Sequence, residues 1–334
     1  MTKALINLKL LLYEINSEFY KKKSWVIFLT PLSFFFFLLI KLRKFLYISG
    51  LFKSIKLTRP IVIIGNITLG GTGKTSLIQK IVIELKKNKI SVGVISRGYG
   101  SSSKKPREVF KNSLVQDVGD EPLLLKKKLD IPVFIGKDKA SVAKLLIDQY
   151  PNVQILLSDD GLQHYKLKRD LEICIIDGER GLGNKRLLPS GPLREPVSRL
   201  SQCDLIILNG KNSNFEYDYL MSYKNPNYLK NRQNKKIKLH ALKGKKVFIM
   251  SAIGNPYRLI KFFKSLSLNF KYKFFDDHYF FKQDDFNGLE KKMIVMTEKD
   301  IIKCQNINHD NIWYLPLSVE IEAGFMNEIS NLTK

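Results

Sequence analysis

Cysteine, histidine and acidic residues are all scarce in this chain of 334 residues. Its three cysteines, Cys174, Cys203 and Cys304, are far apart and sit in or beside apolar runs. They offer neither a disulfide framework nor a metal cluster, which fits a reducing, cytoplasmic compartment. Four histidines, none in a metal-ligand spacing, exclude a histidine-built metal centre. The acidic residues number 31 against 56 Lys and Arg, a net charge of +25. That excess fits nucleic acid, an anionic membrane or an acidic substrate, and lysines scattered among Asn and Ile also arise from genome composition. An Arg-rich stripe interleaved with aromatics is missing, and so is any known nucleic-acid motif, so no nucleic-acid partner is expected. Internal repeats are missing too. What remains is an ordinary globular composition, 44% hydrophobic and 26% charged, in a chain long enough for two domains.

One apolar stretch stands out. Residues 25–40 read WVIFLTPLSFFFFLLI, broken only by Thr30, Pro31 and Ser33. As a helix these residues would span roughly 24 Å, short of a hydrocarbon core of about 30 Å. The stretch lies too far from the start, and is too basic on its far side, for a secretory signal peptide. Lys21, Lys22 and Lys23 precede it, and Lys41, Arg43 and Lys44 follow it. A buried core helix is one reading. Four consecutive phenylalanines between cationic flanks favour contact with a bilayer of anionic lipid, spanning it or lying flat, with Pro31 bending the helix.

After Pro60 short apolar runs alternate with helical patterns. Strands are expected at 61–65, 90–96, 153–158, 171–177 and 203–209, and helices at Ser76–Lys87 and Ser141–Gln149. Near-continuous Val, Ile and Leu runs suit strands buried on both faces, hence a parallel sheet covered by helices. The Asn- and Lys-rich stretch 211–240 reads as a linker or exposed hairpin. Beyond it the alternation resumes, which predicts a second, smaller α/β domain.

The run GNITLGGTGKT joins the first strand to a helix expected to begin near Lys74. A standard phosphate loop would have glycine where Thr68 stands, and here the glycines are Gly70, Gly71 and Gly73. Its end, GGTGKT, is intact. Thr68, Gly70, Gly71, Thr72 and Gly73 would turn backbone N–H groups on phosphate oxygens, Lys74 would reach the β/γ-phosphates, and the Thr75 hydroxyl would ligate Mg²⁺. Asp159 and Asp160 end an apolar strand, a position that serves metal and nucleophile in such folds or caps a following helix. Asp120 and Glu121 precede Pro122, which on spacing alone reads as a helix N-cap.

In order along the chain, GNITLGGTGKT, SRGYG, GDEPLLL, DDGLQHYKLKRDLEICIID, RLLPSGPLREP, IGNPYR, DDHYF and MTEKD resemble the tetraacyldisaccharide 4′-kinase (lipid A 4′-kinase) family. The likeness covers about residues 60–305 and includes the non-standard loop spacing. It implies ATP-dependent phosphorylation of the 4′-hydroxyl of a tetraacylated glucosamine disaccharide 1-phosphate, giving lipid IVA in lipid A biosynthesis. It also implies a P-loop kinase domain at 56–210 and a C-terminal α/β domain at 241–334 that closes the active-site cleft. Residues 1–55 would form a basic, apolar segment holding the protein at an anionic membrane surface, the cytoplasmic face of the inner membrane. Carried over by position, Asp160 matches the catalytic aspartate, paired with His278, and Asp120 and Lys74 join them. Glu121, Asp159 and Thr75 would serve Mg²⁺, while His164, Arg194 and Glu195 fall in motifs expected to bind substrate. Ser76, Ser190 and Asp276 depart from the proline, alanine and proline usual there, and none of these changes removes a reacting group. A rival reading is a P-loop GTPase or ATPase switch at the membrane. Glu298 stands in TEKD where a guanine reader would carry lysine, which counts against it.

Overall fold

The runs of Val, Ile and Leu that follow Pro60 become short strands, of which 61–65, 92–96 and 171–177 have every residue buried, the pattern of sheets covered on both faces. The computed structural model describes residues 18–21, 24–103, 105–211, 215–224, 226–254 and 257–333. The expected segment 1–17, Lys22, Lys23 and the Asn255-Pro256 pair of IGNPYR therefore lie outside the described residues. Along the chain the strands used below are β1 (Ile61–Gly65), β2 (Val92–Ser96), β3 (Arg107–Glu108), β4 (Val133–Ile135), β5 (Ile155–Asp159), β6 (Leu171–Asp177), β7 (Leu205–Asn209), β8 (Tyr219–Tyr223), β9 (Tyr228–Asn231), β10 (Lys236–Lys238), β11 (Val247–Ser251), β12 (Phe270–Phe274), β13 (Met293–Thr297) and β14 (Ile312–Leu315). The helices are α1 (Thr30–Ile48), α2 (Lys74–Lys87), α3 (Asp120–Leu129), α4 (Lys139–Gln149), α5 (Tyr257–Ser265) and α6 (Glu298–Ile302).

The chain divides into two compact units. One holds the described residues up to Lys74, together with Gln154–Met221 and the C-terminal stretch from Ile321. Its strands run β8-β7-β6-β1-β5, all parallel, with Ile64 of β1 paired to Asp159 of β5 and to Ile173 of β6. Its helix α1 follows a 3-10 turn, Trp25–Leu29, so the helical stretch reaches Ile48 rather than Ile40. At about 1.5 Å per residue these 24 residues extend roughly 36 Å. Pro31 does not bend the helix. It sits in the first α-helical turn, where a missing N–H costs nothing.

The other unit holds Thr75–Val153 and Ser222–Glu320. It contains α2 beyond Lys74, α3, α4 and the strands β2-β4-β3, with β3 antiparallel to β4. It also contains a six-stranded sheet of order β10-β9-β14-β13-β11-β12. Leu229, Val247, Ile249, Phe263 and Val295 belong to one apolar core on this sheet, and Met250, Phe286, Ile294, Met296 and Cys304 to another. Of the two readings of the stretch 211–240, a linker or an exposed hairpin, the hairpin holds for 228–238, where β9 and β10 pair antiparallel. The stretch supplies β8 to the first unit's sheet and the antiparallel pair β9 and β10 to the six-stranded one.

Candidate active site

In the first unit β1 delivers the chain into the glycine loop. Asn66 organises it: its amide donates to the Thr68 carbonyl at 2.8 Å, and its Oδ1 accepts from Lys74 Nζ at 2.9 Å. Positive φ falls on Gly70 (89°) and Gly73 (103°), so those are the positions that demand glycine. Thr68 is not among the residues of positive φ; it is buried and bridged to Leu193 instead. The missing loop glycine thus has a local explanation. A Cβ on Gly73 would lie 2.6 Å from Asn209 Nδ2, which donates to the Thr72 carbonyl at 2.8 Å. The Arg180 guanidinium donates to the Gly71 carbonyl and pairs with Asp177 at 3.1 Å. Among the described residues the buried Thr72 hydroxyl has no hydrogen-bond partner, an orphan donor inside a loop shaped for an anion.

Asp160 adopts φ of +52° and lies 3.3 Å from Lys74 Nζ and 3.0 Å from Arg194. No helix follows Asp159 and Asp160, which removes the capping alternative, and Asp159 is buried at the end of β5. Glu195 is buried as well, and its carboxylate is occupied. It accepts from Gln163 Nε2 and from the Tyr165 hydroxyl, each at 2.9 Å, and Arg199 Nε lies 3.1 Å away without the alignment of a hydrogen bond. Burial first, and then the Glu195 charge, push the Tyr165 hydroxyl up to about 12. His164 is half-buried in the turn after Asp160, and its carbonyl accepts from Arg169 at 2.9 Å.

The second unit gathers a different set. Gly119, at φ of +87°, is the N-cap position of α3, and no side chain caps that helix. Asp120 instead faces His278, whose Nδ1 lies 2.9 Å from its Oδ2. The sequence pairs His278 with Asp160; the structure gives the ring Asp120, while Asp160, in the other unit, holds Lys74 and Arg194. His278 itself has φ of +60° and lies 5.1 Å, ring to ring, from Tyr99. Lys299 Nζ sits 2.9 Å from Glu121, 3.7 Å from Asp120 and 3.9 Å from Asp277. Burial alone would raise the Asp120 pKa. The His278 hydrogen bond and the charges of Lys299, His278 and Lys303 outweigh it and hold the carboxyl at about 2. For Lys299, burial would lower the pKa, but Glu121, Asp120 and Asp277 hold it well above the ordinary lysine value.

Ligand atoms of Asp120, Glu121 and His278 lie within 4.8 Å of one another. The two carboxylates suit a hard cation such as Mg²⁺; the imidazole does not. Thr75 is in the first turn of α2. Asn66, Asn209, Arg180 and Lys299 were not singled out by the sequence. The first lies inside GNITLGGTGKT and the last inside MTEKD, both among the strings that carry the family resemblance.

A family model described as LpxK, tetraacyldisaccharide-1-P 4′-kinase, matches residues 25–334. A tetraacyldisaccharide 4′-kinase of Methylobacillus flagellatus is 40% identical over 316 residues, 94% of this chain and 94% of that protein. One from Haemophilus influenzae is 40% identical over 306 residues, covering 90% and 91%. The solved structure of an "apo" form LpxK from Aquifex aeolicus in complex with ATP superposes with a TM-score of 0.79 at 28% identity. It covers 92% of this chain and 99% of that one.

Proposed function

The chain belongs to the tetraacyldisaccharide-1-P 4′-kinase family, and from that premise we propose that it transfers the γ-phosphoryl group of ATP to the 4′-hydroxyl of a tetraacylated glucosamine disaccharide 1-phosphate. The product is the bis-phosphorylated lipid IVA of lipid A biosynthesis. The observation that carries the reading is the glycine loop with Lys74 held at the head of α2 by Asn66.

Each residue has a task that its chemistry supports. Backbone N–H groups of 70–73 and the Lys74 ammonium bind phosphate oxygens, and Thr72 offers its buried hydroxyl. Arg194 adds a guanidinium suited to phosphate. Asp160 already carries two cationic partners, so it serves here to hold Lys74 and Arg194. The proton of the attacking hydroxyl goes to His278. Asp120 fixes the imidazole through Nδ1, which leaves Nε2 to accept, the logic of a carboxylate-oriented histidine base. Thr75, Glu121 and Asp159 would supply oxygen donors for Mg²⁺, and that ion would neutralise charge on the transferring phosphoryl group. Glu195 supports Gln163 and Tyr165 and acts on the substrate through them; His164 remains a candidate contact for the sugar.

The same reading sets the protein on the cytoplasmic side of the inner membrane, where ATP and an acylated substrate meet. Described apolar residues of the 3-10 turn and α1, among them Phe28, Phe35, Leu39 and Phe45, are exposed and suit that surface. The guanine-switch alternative finds no support in TEKD. Asp300 is fully buried and bonded to Ser251, Thr297, Lys303 and the Ala252 N–H.

The test is transfer of label from γ-labelled ATP with Mg²⁺ to a tetraacyl-disaccharide 1-phosphate in mixed micelles. A labelled bis-phosphorylated lipid is expected from the parent, and less by on the order of a hundredfold or more from Lys74→Ala. Free phosphate without lipid label would overturn the reading.

A further inference from the structure

Between Asp218 and Asp276 lie fifty-seven residues without a single Asp or Glu, and fourteen of them are Lys or Arg. At the chain's average such a stretch would hold about five acids. Genome composition enriches lysine; it does not empty one segment of carboxylates.

The six-stranded sheet places part of this charge on one edge. Strand β12 is the last in the order, paired only to β11. Register sets Lys271 beside Phe248 and Lys273 beside Met250. Lys292 Nζ lies over the Phe248 ring at 5.8 Å, and the pairing of Val247 with Met293 brings Lys246 and Lys292 to the entries of neighbouring strands. All four lysines are exposed. Among the described residues none of them forms an ion pair, whereas Lys224, Lys128 and Lys111 each have a carboxylate partner. Glu290, close to Lys292 in sequence, accepts from the Gly288 N–H at 2.8 Å.

Lysines on an edge strand also discourage pairing with a second chain. That task needs charge alone, and this edge carries more. Tyr272, between Lys271 and Lys273, is 56% exposed and stacks on Phe274 with ring centroids 4.8 Å apart. An aromatic body with a polar tip on one face of an edge strand, and long cationic stems on the other, is the composition that settles at a headgroup boundary when the edge itself meets the surface. Arginine, the usual phosphate fork of nucleic-acid readers, is not among these edge residues.

We propose that the β11–β12 edge of the second unit is a docking surface for an anionic phospholipid bilayer, additional to the apolar face of α1. The lysines meet phosphate headgroups and Tyr272 enters the interface. This rests on the charge and exposure of the edge, not on the kinase reading.

The experiment compares the full-length parent with Lys246→Gln/Lys271→Gln/Lys273→Gln/Lys292→Gln. Binding is measured to phosphatidylcholine vesicles with and without phosphatidylglycerol. At roughly 1 kcal/mol per lysine near such a surface, the variant should lose on the order of a thousandfold in affinity for the anionic vesicles. Binding to pure phosphatidylcholine should be unchanged, and high salt should erase the difference. Independently, Tyr272→Trp should add blue-shifted emission, quenched by brominated lipid, over the parent signal from Trp25 and Trp313. Equal vesicle affinity of parent and variant, or a Tyr272→Trp signal that ignores vesicles, overturns the proposal. So does loss of single-stranded DNA binding with vesicle binding intact. Phosphate transfer to detergent-solubilised substrate should stay at the parent level, so a failed docking surface and a failed kinase assignment give different results.

Discussion

Asp160 and His278 share an unusual backbone. They are two of seven described non-glycine residues with positive φ, a conformation that costs free energy and persists where surrounding contacts over-determine it. Those contacts are visible: Lys74 and Arg194 for Asp160, Asp120 for His278. The pairings could not be read from sequence, since Asp120 and His278 are 158 positions apart and an ion pair depends on where the fold brings its partners. The residue types were legible; their partners were not. Lys299 was missed for the same reason, because a lysine in TEKD reveals nothing of the three carboxylates around it.

The Asp120 carboxyl makes a pH-dependent contribution to stability. Its folded pKa of about 2 lies below the ordinary 3.8, so the contribution is complete above the unfolded value and is lost as pH falls through about 2. The displacement corresponds to roughly 2 kcal/mol. Asp120→Asn should therefore be less stable than the parent by about that much at neutral pH, with the gap closing near pH 2. Denaturant titrations at both pH values check this, and a gap independent of pH would refute it. Lys74→Ala should fold normally and lose on the order of 10²–10³ in kcat, the usual effect of removing one preorganised charge donor. Steady-state kinetics beside a circular dichroism spectrum separates the two effects.

Among the elements, continuous apolar runs gave the most reliable reading. The strands at 61–65 and 171–177 appear with the expected boundaries, whereas β2, β5 and β7 start two residues later than their runs. Helix α1 was underestimated because the reading stopped at Lys41. Exposed cationic side chains do not end a helix, and this one continues to Ile48. Thr30, Lys44 and Tyr47 contact Arg186, Gln202 and Tyr165, and one small buried residue adds to this docking. The Ser33 hydroxyl accepts from the Ser190 N–H at 3.0 Å, donates to the Leu187 carbonyl at 2.9 Å, and lies 2.7 Å from the Ser190 hydroxyl. The Ser190 hydroxyl thus has a use that alanine, expected there from the resemblance, could not fill. Ser33→Leu, which leaves these groups unpaired and adds bulk to a buried site, should destabilise the protein by roughly 1–3 kcal/mol. Thermal unfolding reads that effect directly. Gly73→Ala tests the loop: a Cβ at φ of +103° against Asn209 should weaken ATP binding with little change in global stability. Calorimetry of nucleotide binding would detect it, and parent-like affinity would mean that the loop tolerates the strain.

For the whole molecule, the alternation of runs announced an α/β fold with parallel strands, but strand order is a tertiary property. Nothing local in 211–240 tells that Tyr219–Tyr223 extends one sheet while Tyr228–Asn231 joins another. Charge and hydropathy, in contrast, act over the whole surface and are legible as they stand. Phe35, Leu38, Leu39, Leu42 and Phe45 form an exposed apolar face along α1 with Lys41 beside it. Such a face gains free energy by entering the acyl boundary, roughly 25 cal/mol per Å² of apolar surface removed from water. Replacing Phe35, Leu39 and Leu42 together by Asp removes that gain on exposed positions and leaves the Ser33 docking untouched. The triple variant should fold, phosphorylate detergent-dispersed lipid at close to the parent rate, and fall at least tenfold on substrate embedded in anionic vesicles. Its vesicle-bound fraction should drop in parallel. Equal activity on vesicles would show that α1 does not deliver the protein to its lipid, and the apolar face would then need another occupant.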